Sequence, residues 1–258
     1  MFENYIVVTT GAASGIGLGI AKNFLQKGAV VIAVDYDEET LQQAAKENGE
    51  NYVPRLCDVS NDQEVAALSD FVGSRFGRVD VLVNNAGRAR MGITPETMEE
   101  ADFYYHYDVL IKGPMLMVKH FVPLLRKSTN PSITNISSTG AITEKAKDSG
   151  DFLYSTAKFA LIKFNRLLVR GYPEIRSNVI IPGRIETPLF RKSFGVSAEE
   201  EARAYANLAL KMSCGRIGKP ADIAHCIAFL SSEEATYING AQIVIDGGHT
   251  IFNADWDM

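Results

Sequence analysis

Short apolar runs alternate with longer helical segments along almost the whole chain, and this alternation limits the possible folds more than any other feature. The apolar runs are rich in β-branched residues and are predicted as strands over residues 5–9, 30–34, 52–57, 79–83, 132–137, 177–181 and 242–245. The second run is continuously apolar, which is typical of a parallel strand covered on both faces. The sequence therefore predicts an α/β protein with a doubly wound, parallel seven-stranded sheet flanked by helices in three α/β/α layers.

Length and charge narrow the class of protein. The chain has 258 residues, of which 46% are hydrophobic, enough for one domain spanning residues 1–258. Its formal net charge of −5 disfavours a role in nucleic-acid binding. The longest aliphatic stretch, residues 29–34, is too short to span a membrane, and the first residues do not resemble a leader. Three scattered cysteines predict reduced thiols. We expect a cytoplasmic protein.

Two segments depart from simple alternation. Residues 96–125 are predicted as two helices interrupted near Gly113 and Pro114, because proline cannot continue the hydrogen bonding of a helix. Residues 184–218 follow a Pro-Gly turn and are long and mostly helical in composition. In a doubly wound sheet, ligands bind at the carboxyl ends of the strands, and the second segment begins at such an end.

The turn after the first strand is rich in glycine. Gly11, Gly15 and Gly17 allow a tight turn and let backbone N–H groups approach a pyrophosphate at a helix N-terminus. Three glycines alone are a weak signal, but these follow a predicted strand and open a predicted helix, as a dinucleotide site requires. The expected contacts in this turn are Gly11, Ser14, Gly15, Ile16 and Gly17.

A carboxylate at the end of the second strand indicates which dinucleotide binds. Asp35 lies about twenty residues beyond the glycines, where its oxygens can accept hydrogen bonds from the adenosine ribose. It would repel a 2′-phosphate, and the glycine turn has no Lys or Arg to receive one. The sequence therefore favours NAD over NADP. The alternative role for Asp35 is to cap the helix that starts near Asp37.

Two further strand ends carry candidate cofactor residues. Asp58, followed by Val59, could accept a hydrogen bond from the adenine amino group, or it could cap the next helix. The turn at residues 84–87 has small residues that admit a flat ring, and we expect Asn84 and Gly87 to shape the cofactor floor. The binding residues expected in this turn are Asn85, Ala86 and Gly87.

Tyr154 and Lys158 are four residues apart at the start of a predicted helix, so both side chains lie on one face. A free phenol has a pKa near 10, and a neighbouring ammonium lowers it, which suits a general acid–base for carbonyl reduction or alcohol oxidation. Ser138 ends the preceding strand and could hold a substrate oxygen. Its alternative role is to cap the following loop.

Seven motifs occur together and in order: the glycine turn, Asp35, the Asn-Asn-Ala-Gly turn at 84–87, Ile-Ser-Ser at 136–138, Tyr-Ser-Thr-Ala-Lys at 154–158, Pro-Gly at 182–183 and Ile-Asp-Gly-Gly at 245–248. Together they resemble those of the short-chain dehydrogenase/reductase family over essentially the entire chain. The resemblance implies a single Rossmann-type domain and a homotetramer or homodimer.

The resemblance also implies roles for individual residues. Tyr154 would be the catalytic acid–base, Lys158 would lower its pKa and bind the nicotinamide ribose, and Ser138 would orient the substrate. The residues that would face the nicotinamide are Pro182, Gly183, Ile185 and Thr187.

The sequence departs from the family pattern in two places. Leu110 stands where an asparagine usually supports a water-bridged proton relay, and Asp108 lies on roughly the opposite helical face. The interval from Ser138 to Tyr154 is a few residues longer than usual. The charged loop between them, residues 139–153, either is solvated surface or forms one rim of the substrate cleft.

The substrate is less well determined by the sequence. Leu189, Phe190 and Phe194, with Met91 opposite, could form an apolar lid, or they could pack into the core or an oligomer interface. An apolar lid over Ser138 and the phenol suits a secondary alcohol or ketone on an apolar skeleton, such as a hydroxysteroid or bile acid. Four scattered histidines do not predict a metal site. The alternative function is a catalytically weakened NAD(H)-binding sensor or scaffold protein.

Overall fold

A computed structural model describes residues 1–143 and 151–252, apart from the side chains of residues 192 and 193. Most of the charged loop after Ser138, including residues 144–150, lies outside the described residues, whereas Asp151 lies within them. All seven predicted strands lie in the described part of the chain.

The strands form one parallel sheet. They are β1 (Ile6–Thr10), β2 (Val30–Asp35), β3 (Tyr52–Leu56), β4 (Val81–Asn84), β5 (Ser132–Ile136), β6 (Arg176–Pro182) and β7 (Gln242–Ile245). Their order in the sheet is β3-β2-β1-β4-β5-β6-β7. In the registers, Val8 of β1 is opposite Ile32 of β2 and Leu82 of β4. The predicted doubly wound, seven-stranded parallel sheet is confirmed.

Helices cover both faces of the sheet. They are α1 (Gly15–Gln26), α2 (Glu38–Asn48), α3 (Asp62–Phe76), α4 (Glu100–Tyr107), α5 (Gly113–Leu125), α6 (Phe152–Gly171), α7 (Pro188–Phe194), α8 (Ala198–Ala209), α9 (Pro220–Ser231) and α10 (His249–Phe252). Among the described residues, no helix has the length and apolar character needed to cross a membrane.

Side-chain caps define several of these helices. The Asp37 carboxylate accepts a hydrogen bond from the backbone N–H of Thr40 at the start of α2, and Asn61 caps α3 in the same way. Gly77 ends α3 in the left-handed region, with φ of 76°, where a side chain would be strained. These polar and glycine positions in the sequence set where the helices begin and end.

The core has two parts, one on each face of the sheet. Val7 of β1 is buried with Phe24 of α1 and Ile223 of α9. Val8, the next residue, points to the other face, where it is buried with side chains such as Phe121 of α5. Burying each such side chain contributes about 1.5–3 kcal/mol. Because both faces are covered, ligands can reach the strands only at their ends.

The break within residues 96–125 lies slightly earlier than predicted. Residues Asp108–Lys112 form a π-helical turn, and Gly113 already has α-helical angles at the start of α5. Pro114 lies in the first turn of α5, where a missing N–H is tolerated, so proline does not itself interrupt the helix. A Cβ built on Gly113 would lie 2.8 Å from Cγ2 of Val59, so glycine permits close packing of this turn against the strand end.

Candidate active site

A cavity of about 890 Å³ runs along the carboxyl ends of the strands. Its lining residues follow β1 to β6 in turn, and the beginning of α10 completes it. The strand order changes direction at β1, whose neighbours are β2 and β4, and such a switch point is where a crevice forms. The cavity lies where the sequence predicts a dinucleotide and its substrate.

The glycine turn packs tightly against its surroundings. Gly11 and Gly15 have φ of 65° and 55°, in the left-handed region. A Cβ built on Gly17 would overlap the carbonyl oxygen of Gly11, and it would lie 2.7 Å from Nδ2 of Asn85. Only glycine at position 17 allows α1 to start this close to the end of β1.

The first turn of α1 faces the cavity and suits an anion. Ser14 is the N-cap residue, but its side chain does not cap the helix, and the first turn has no acidic residue. Ser14, Gly15 and Ile16 line the cavity. Backbone N–H groups at a helix N-terminus bind phosphate groups, so this cradle fits a dinucleotide pyrophosphate.

Asp35 is held at the end of β2 by backbone donors. Its Oδ2 accepts a hydrogen bond from the N–H of Ala13 at 3.0 Å, and its Oδ1 accepts one from the N–H of Asp37 at 3.1 Å. Because Asp37 caps α2, Asp35 does not have the capping role that was the alternative. The carboxylate lines the cavity beside the glycine turn, where an adenosine ribose would lie.

Asp58 lines the same end of the cavity and is exposed. Its Oδ1 accepts hydrogen bonds from the N–H and Oγ of Ser60, at 2.9 and 2.7 Å. The N-cap of α3 is Asn61, so Asp58 forms the preceding turn and does not cap the helix. Val59, which is buried, lines the cavity next to it.

Asn85 ties the end of β4 to the end of β1. Its Nδ2 donates to the carbonyl oxygen of Thr10 at 2.8 Å, and Oγ1 of Thr10 accepts from the N–H groups of Asn85 and Ala86 at 3.0 Å each. Asn85, Ala86 and Gly87 line the cavity. The turn is therefore held rigidly at the wall expected to receive the cofactor.

Asn84 lies beneath the cavity and does not line it. Its Nδ2 donates to Oδ1 of Asn135 at 2.8 Å, and Nδ2 of Asn135 donates to Oδ1 of Asn165 at 2.9 Å. Nδ2 of Asn165 donates to the carbonyl oxygen of Ser177 at 3.1 Å. This buried ladder joins β4, β5, α6 and β6, so Asn84 supports the cavity floor from below.

Ser138, Tyr154 and Lys158 meet at the cavity wall. Lys158 is 4% exposed, and its Nζ donates to the carbonyl oxygen of Ile136 at 2.7 Å. The same Nζ lies 5.9 Å from the centre of the Tyr154 ring. Ser138 hydrogen-bonds to Tyr154, and its Oγ also accepts from the N–H of Gly140 at 3.2 Å. The capping role considered for Ser138 is therefore present, and its role toward a substrate oxygen stays a prediction.

The electrostatics of the phenol involve one group that the sequence did not suggest. Burial raises the pKa of Tyr154 and the charge of Asp151 adds to this effect, while the hydrogen bond to Ser138 and the charge of Arg184 lower the pKa. Burial also lowers the pKa of Lys158 to about 8. The expected pair of Tyr154 and Lys158 shares one wall, but Arg184 and Ser138 are the groups that oppose the effect of burial on the phenol.

Leu110 lies close to this group. It is fully buried in the π-helical turn. A Cβ built on Gly87 would lie 3.4 Å from Cδ2 of Leu110 and 3.8 Å from Nζ of Lys158, so all three share one region. Asp108 pairs with Lys112 at 3.5 Å and does not line the cavity. An apolar side chain therefore lies where the family pattern has an amide.

The residues after β6 form the wall opposite the glycine turn. Pro182, Gly183, Ile185 and Thr187 all line the cavity, as predicted for residues that face a nicotinamide. A Cβ on Gly183 would lie 2.6 Å from Cβ of Asp246, so glycine permits close approach to the chain after β7. A Cβ on Gly15 would lie 3.2 Å from Cβ of Thr187, so the two walls meet there.

The apolar side chains of residues 184–218 face the cavity. Leu189, Phe190 and Phe194 line it, as does Met91. The ring centre of Phe190 is 4.9 Å from that of Phe194 and 5.1 Å from that of Tyr205 on α8. Of the roles considered for these side chains, the structure favours an apolar cover over the cavity.

Several lining residues were not assigned to the site from the sequence. They are Arg88, Tyr105, Arg184, Tyr205, His249 and Thr250. Arg88 directly follows the Asn-Asn-Ala-Gly turn and Arg184 directly follows the Pro-Gly turn, so their positions beside recognised motifs were an available signal. In the described part of the chain, no cluster of His, Cys, Asp or Glu could hold a metal ion.

Comparison with known proteins identifies the class. Residues 11–250 match the family model described as Enoyl-(Acyl carrier protein) reductase. The chain belongs to the short-chain dehydrogenase/reductase family, oxidoreductases that act on CH–OH groups and bind a nicotinamide cofactor.

Individual relatives match over nearly their full lengths. The 3-oxoacyl-(acyl-carrier-protein) reductase of Thermotoga maritima is 35% identical over 254 residues, covering 96% of this chain and 99% of that protein. The 7alpha-hydroxysteroid dehydrogenase of Bacteroides fragilis is 31% identical, covering 98% and 96%. The crystal structure of 3-ketoacyl-(acyl-carrier-protein) reductase from Brucella melitensis complexed with NADH has a TM-score of 0.87 at 30% identity, covering 97% and 100%.

The packing of the glycine turn predicts the effect of one added methyl group. Gly17→Ala should lower the free energy of unfolding by about 2–3 kcal/mol, because the new Cβ meets backbone atoms that cannot move aside. It should also weaken NAD binding at least about tenfold, since the turn must shift (about 1.4 kcal/mol per tenfold). Urea unfolding and calorimetric titration with NAD measure the two effects. Gly171→Ala is the control and should cost nothing, because no heavy atom lies within 4 Å of its Cβ position.

The burial of the Lys158 amine predicts how stability depends on pH. The folded pKa of about 8 lies below the unfolded value near 10.4, so the folded state disfavours the ammonium by about 3 kcal/mol. The contribution of Lys158 to wild-type stability should therefore rise between about pH 8 and 10.4. Burial raises the pKa of Cys57 and acts in the opposite direction, so the difference between wild type and a Lys158 variant isolates the amine. Lys158→Met should be about 1–2 kcal/mol more stable than wild type at pH 7, after allowing for the lost hydrogen bond to Ile136.

That advantage should disappear by about pH 10.5, as measured by urea unfolding at several pH values and one protein concentration. Lys163→Met, an exposed change on the same helix, is the control and should differ from wild type by less than about 0.5 kcal/mol throughout. A pH-independent difference between Lys158→Met and wild type would show that the amine is not buried as a charge.

Proposed function

We propose that this protein is an NAD(H)-dependent oxidoreductase that interconverts a secondary alcohol and a ketone on an apolar skeleton, such as a hydroxysteroid or bile acid. The observation that carries the proposal is the convergence of Ser138, Tyr154 and Lys158 on one cavity whose other end holds Asp35. A protein that only bound a dinucleotide would not need a phenol and a buried amine beside the nicotinamide end.

The cofactor would be held along the whole cavity. The N-terminus of α1 would bind the pyrophosphate, Asp35 the adenosine ribose, and Asp58 and Val59 the adenine. The residues proposed to surround the nicotinamide and its ribose are Asn85, Ala86, Gly87, Tyr154, Lys158, Pro182, Gly183, Ile185 and Thr187. When bound, the nicotinamide supplies the hydride acceptor for alcohol oxidation and the hydride donor for ketone reduction.

The phenol of Tyr154 would move the proton. In alcohol oxidation it accepts the hydroxyl proton of the substrate, and in ketone reduction it returns that proton to the carbonyl oxygen. Ser138, already hydrogen-bonded to the phenol, would orient the same substrate oxygen. Arg184 and Ser138 both favour the phenolate and thus help Tyr154 to act near neutral pH.

Lys158 would have two tasks. Its amine would bind the nicotinamide ribose and pass protons between that end of the cavity and solvent. The carbonyl oxygen of Ile136 orients the amine, while Leu110 offers it no side-chain partner. A water bound to the backbone would have to replace the usual amide. Proton exchange with solvent should therefore be slower than in family members that have the asparagine, while the geometry of hydride transfer stays intact.

An apolar substrate is supported by the cover over the cavity. Leu189, Phe190 and Phe194 present apolar surface beside Ser138 and Tyr154. Relatives whose names include a hydroxysteroid and a hydroxycyclohexanecarboxylate, at 31% and 32% identity, agree with a substrate of this kind. The alternative is a catalytically weakened NAD(H)-binding sensor or scaffold, for which the specific observation is Leu110 in the proton route.

We further propose that the protein is a cytoplasmic homotetramer or homodimer. Large apolar side chains are exposed on α4 to α6, among them Phe103, Met115 and Phe159. A second group lies on α9, β7 and the turn between them, including Phe229 and Val244. Two separate apolar surfaces support assembly through two interfaces.

Removal of the phenolic oxygen tests the mechanism. Tyr154→Phe should reduce kcat at least about 100-fold with any alcohol that the wild type oxidises, because it removes the acid–base group and leaves the fold intact. NADH formation from a panel of secondary alcohols measures this loss, and titration with NAD checks that binding persists.

Tyr107→Phe is the matched control. Its phenol donates to Oγ1 of Thr156 at 3.0 Å and does not line the cavity, so activity should stay within about twofold of wild type. Turnover that survives in Tyr154→Phe would refute the mechanism. Tight NAD binding by a wild type that oxidises none of the alcohols would favour the sensor.

The carboxylate of Asp35 should decide the choice of dinucleotide. Wild type should bind NAD about 100-fold more tightly than NADP, because a 2′-phosphate would meet this charge at close range. Asp35→Asn removes the charge and keeps one acceptor oxygen, which can serve the N–H of Ala13 or that of Asp37 but not both as the two carboxylate oxygens do, and it should reduce the preference at least about tenfold. Calorimetric titration with both dinucleotides gives the two ratios.

Asp37→Asn makes the same change in charge at a neighbouring cavity residue that can still cap α2. It should change the preference less than about threefold, because Asp37 is not the proposed ribose ligand. A wild type that prefers NADP would overturn the assignment of Asp35.

A further inference from the structure

Charge is divided unequally along the cavity. Of the described residues that line it, the carboxylates are Asp35, Asp37 and Asp58, which all follow β2 or β3 at the adenosine end. At the other end, around Tyr154, the described lining includes no carboxylate but three basic side chains: Arg88, Lys158 and Arg184. Asp151 is close enough to act on Tyr154 but does not line the cavity. The proposed mechanism gives Lys158 a task but leaves the two arginines without a ligand.

Arg184 is fixed by the backbone at the substrate end. It directly follows the Pro-Gly turn after β6, and its carbonyl oxygen accepts from the N–H of Gly218 at 3.0 Å. Its side chain is half-buried, lines the cavity and acts electrostatically on Tyr154. Among the described residues, no carboxylate lies within ion-pair distance of its guanidinium. A half-buried guanidinium that lines a cavity and has no counter-ion there leaves N–H donors available to an anionic ligand.

Arg88 adds positive charge at the same end and is held in place. Its Nε donates to the carbonyl oxygen of Tyr105 at 2.6 Å, and its guanidinium lies 4.2 Å from the centre of that ring. The guanidinium of Arg90 lies 4.0 Å from the centre of the same ring, but it pairs with Asp102 and does not line the cavity. Arg88 therefore contributes positive field from a restrained position.

We infer that the substrate carries a carboxylate as well as the reacting alcohol or ketone, and that Arg184 binds this carboxylate with support from Arg88. The inference rests on the proposed function and narrows it to hydroxy acids and the corresponding oxo acids. A guanidinium presents two parallel N–H donors that match the two carboxylate oxygens. The apolar residues of α7 would then cover the skeleton between the two polar groups.

Arg184 could instead serve the dinucleotide. The N-terminus of α1 already provides a pyrophosphate site, however, and that site lies at Ser14, Gly15 and Ile16, on other elements. The two roles differ in outcome: loss of a substrate ligand leaves NAD affinity unchanged, whereas loss of a cofactor ligand does not.

Binding of two small probes tests the inference without turnover. Cyclohexanecarboxylate and cyclohexanecarboxamide have similar shapes and differ in charge, and calorimetry gives their affinities for full-length protein saturated with NAD. Wild type should bind the carboxylate about 30-fold more tightly than the amide. Arg184→Met should remove this preference, and Arg184→Lys should restore part of it.

Arg90→Met is the matched control, because it removes a cation that contacts the same Tyr105 ring but lies outside the cavity lining. It should change the carboxylate affinity less than about threefold. Unchanged NAD affinity and unfolding midpoint in Arg184→Met would show that the variant is folded and that its loss is specific. Equal binding of the two probes to wild type, a preference that survives in Arg184→Met, or a loss of NAD affinity without a loss of carboxylate affinity would each overturn the inference.

Turnover separates this inference from the proposed function. A cyclic hydroxy acid and its methyl ester are compared as substrates of wild type, Arg184→Met and Tyr154→Phe. The expected result is a kcat/KM that favours the acid in wild type. In Arg184→Met, loss of the charge beside Tyr154 should slow both compounds, and the acid-to-ester ratio of kcat/KM should fall about 30-fold. If Tyr154→Phe abolishes oxidation of both compounds while Arg184→Met leaves their ratio unchanged, the oxidoreductase stands and the carboxylate site does not.

Discussion

Close packing of α1 against the ends of β1 and β4 is the constraint on which the site depends. The carbonyl oxygen of Gly11 occupies the space where residue 17 would otherwise place a Cβ. Nδ2 of Asn85 donates a hydrogen bond to that oxygen and lies beside the same space. This packing holds the helix N-terminus, the Asp35 carboxylate and the turn after β4 in one frame. Everything the cavity binds is positioned relative to that frame.

The reacting end of the cavity is costly for charge, and its chemistry follows from that cost. Burial favours a neutral phenol on Tyr154 and a neutral amine on Lys158. The proposed alcohol oxidation instead needs the phenolate as base, with an ammonium close to it. The hydrogen bond to Ser138 and the charge of Arg184 oppose this effect on the phenol. Leu110 removes one polar partner, so the carbonyl oxygen of Ile136 orients the amine. The burial that lowers the pKa of Lys158 therefore also lowers the stability of the folded protein at neutral pH.

Much of this arrangement is predictable from the order of residues. The alternation of apolar runs with helical segments predicts the sheet, and the glycines, Asp35, Tyr154 and Lys158 each lie directly after or beside a predicted strand end. Parallel strands bring those ends to one edge, so local spacing is enough to place them together. The prediction was less accurate within residues 96–125, because the break is a π-helical turn at Asp108–Lys112 and Pro114 lies in the first turn of α5, where it interrupts no hydrogen bond.

The sequence by itself determined the class of fold, the cavity edge and the placing of Tyr154 and Lys158 on one helical face, because the positions of strands and helices follow from periodicity and turn residues. Only the tertiary structure decided that Asn84 lies under the floor, that Asp37 and not Asp35 caps α2, and that Arg184 acts on the phenol of Tyr154 while no carboxylate of the described residues pairs with its guanidinium. The physical reason is that these roles depend on which side chains from distant elements meet. Local pattern sets where a residue lies along its element, but burial and charge are properties of the assembled cavity.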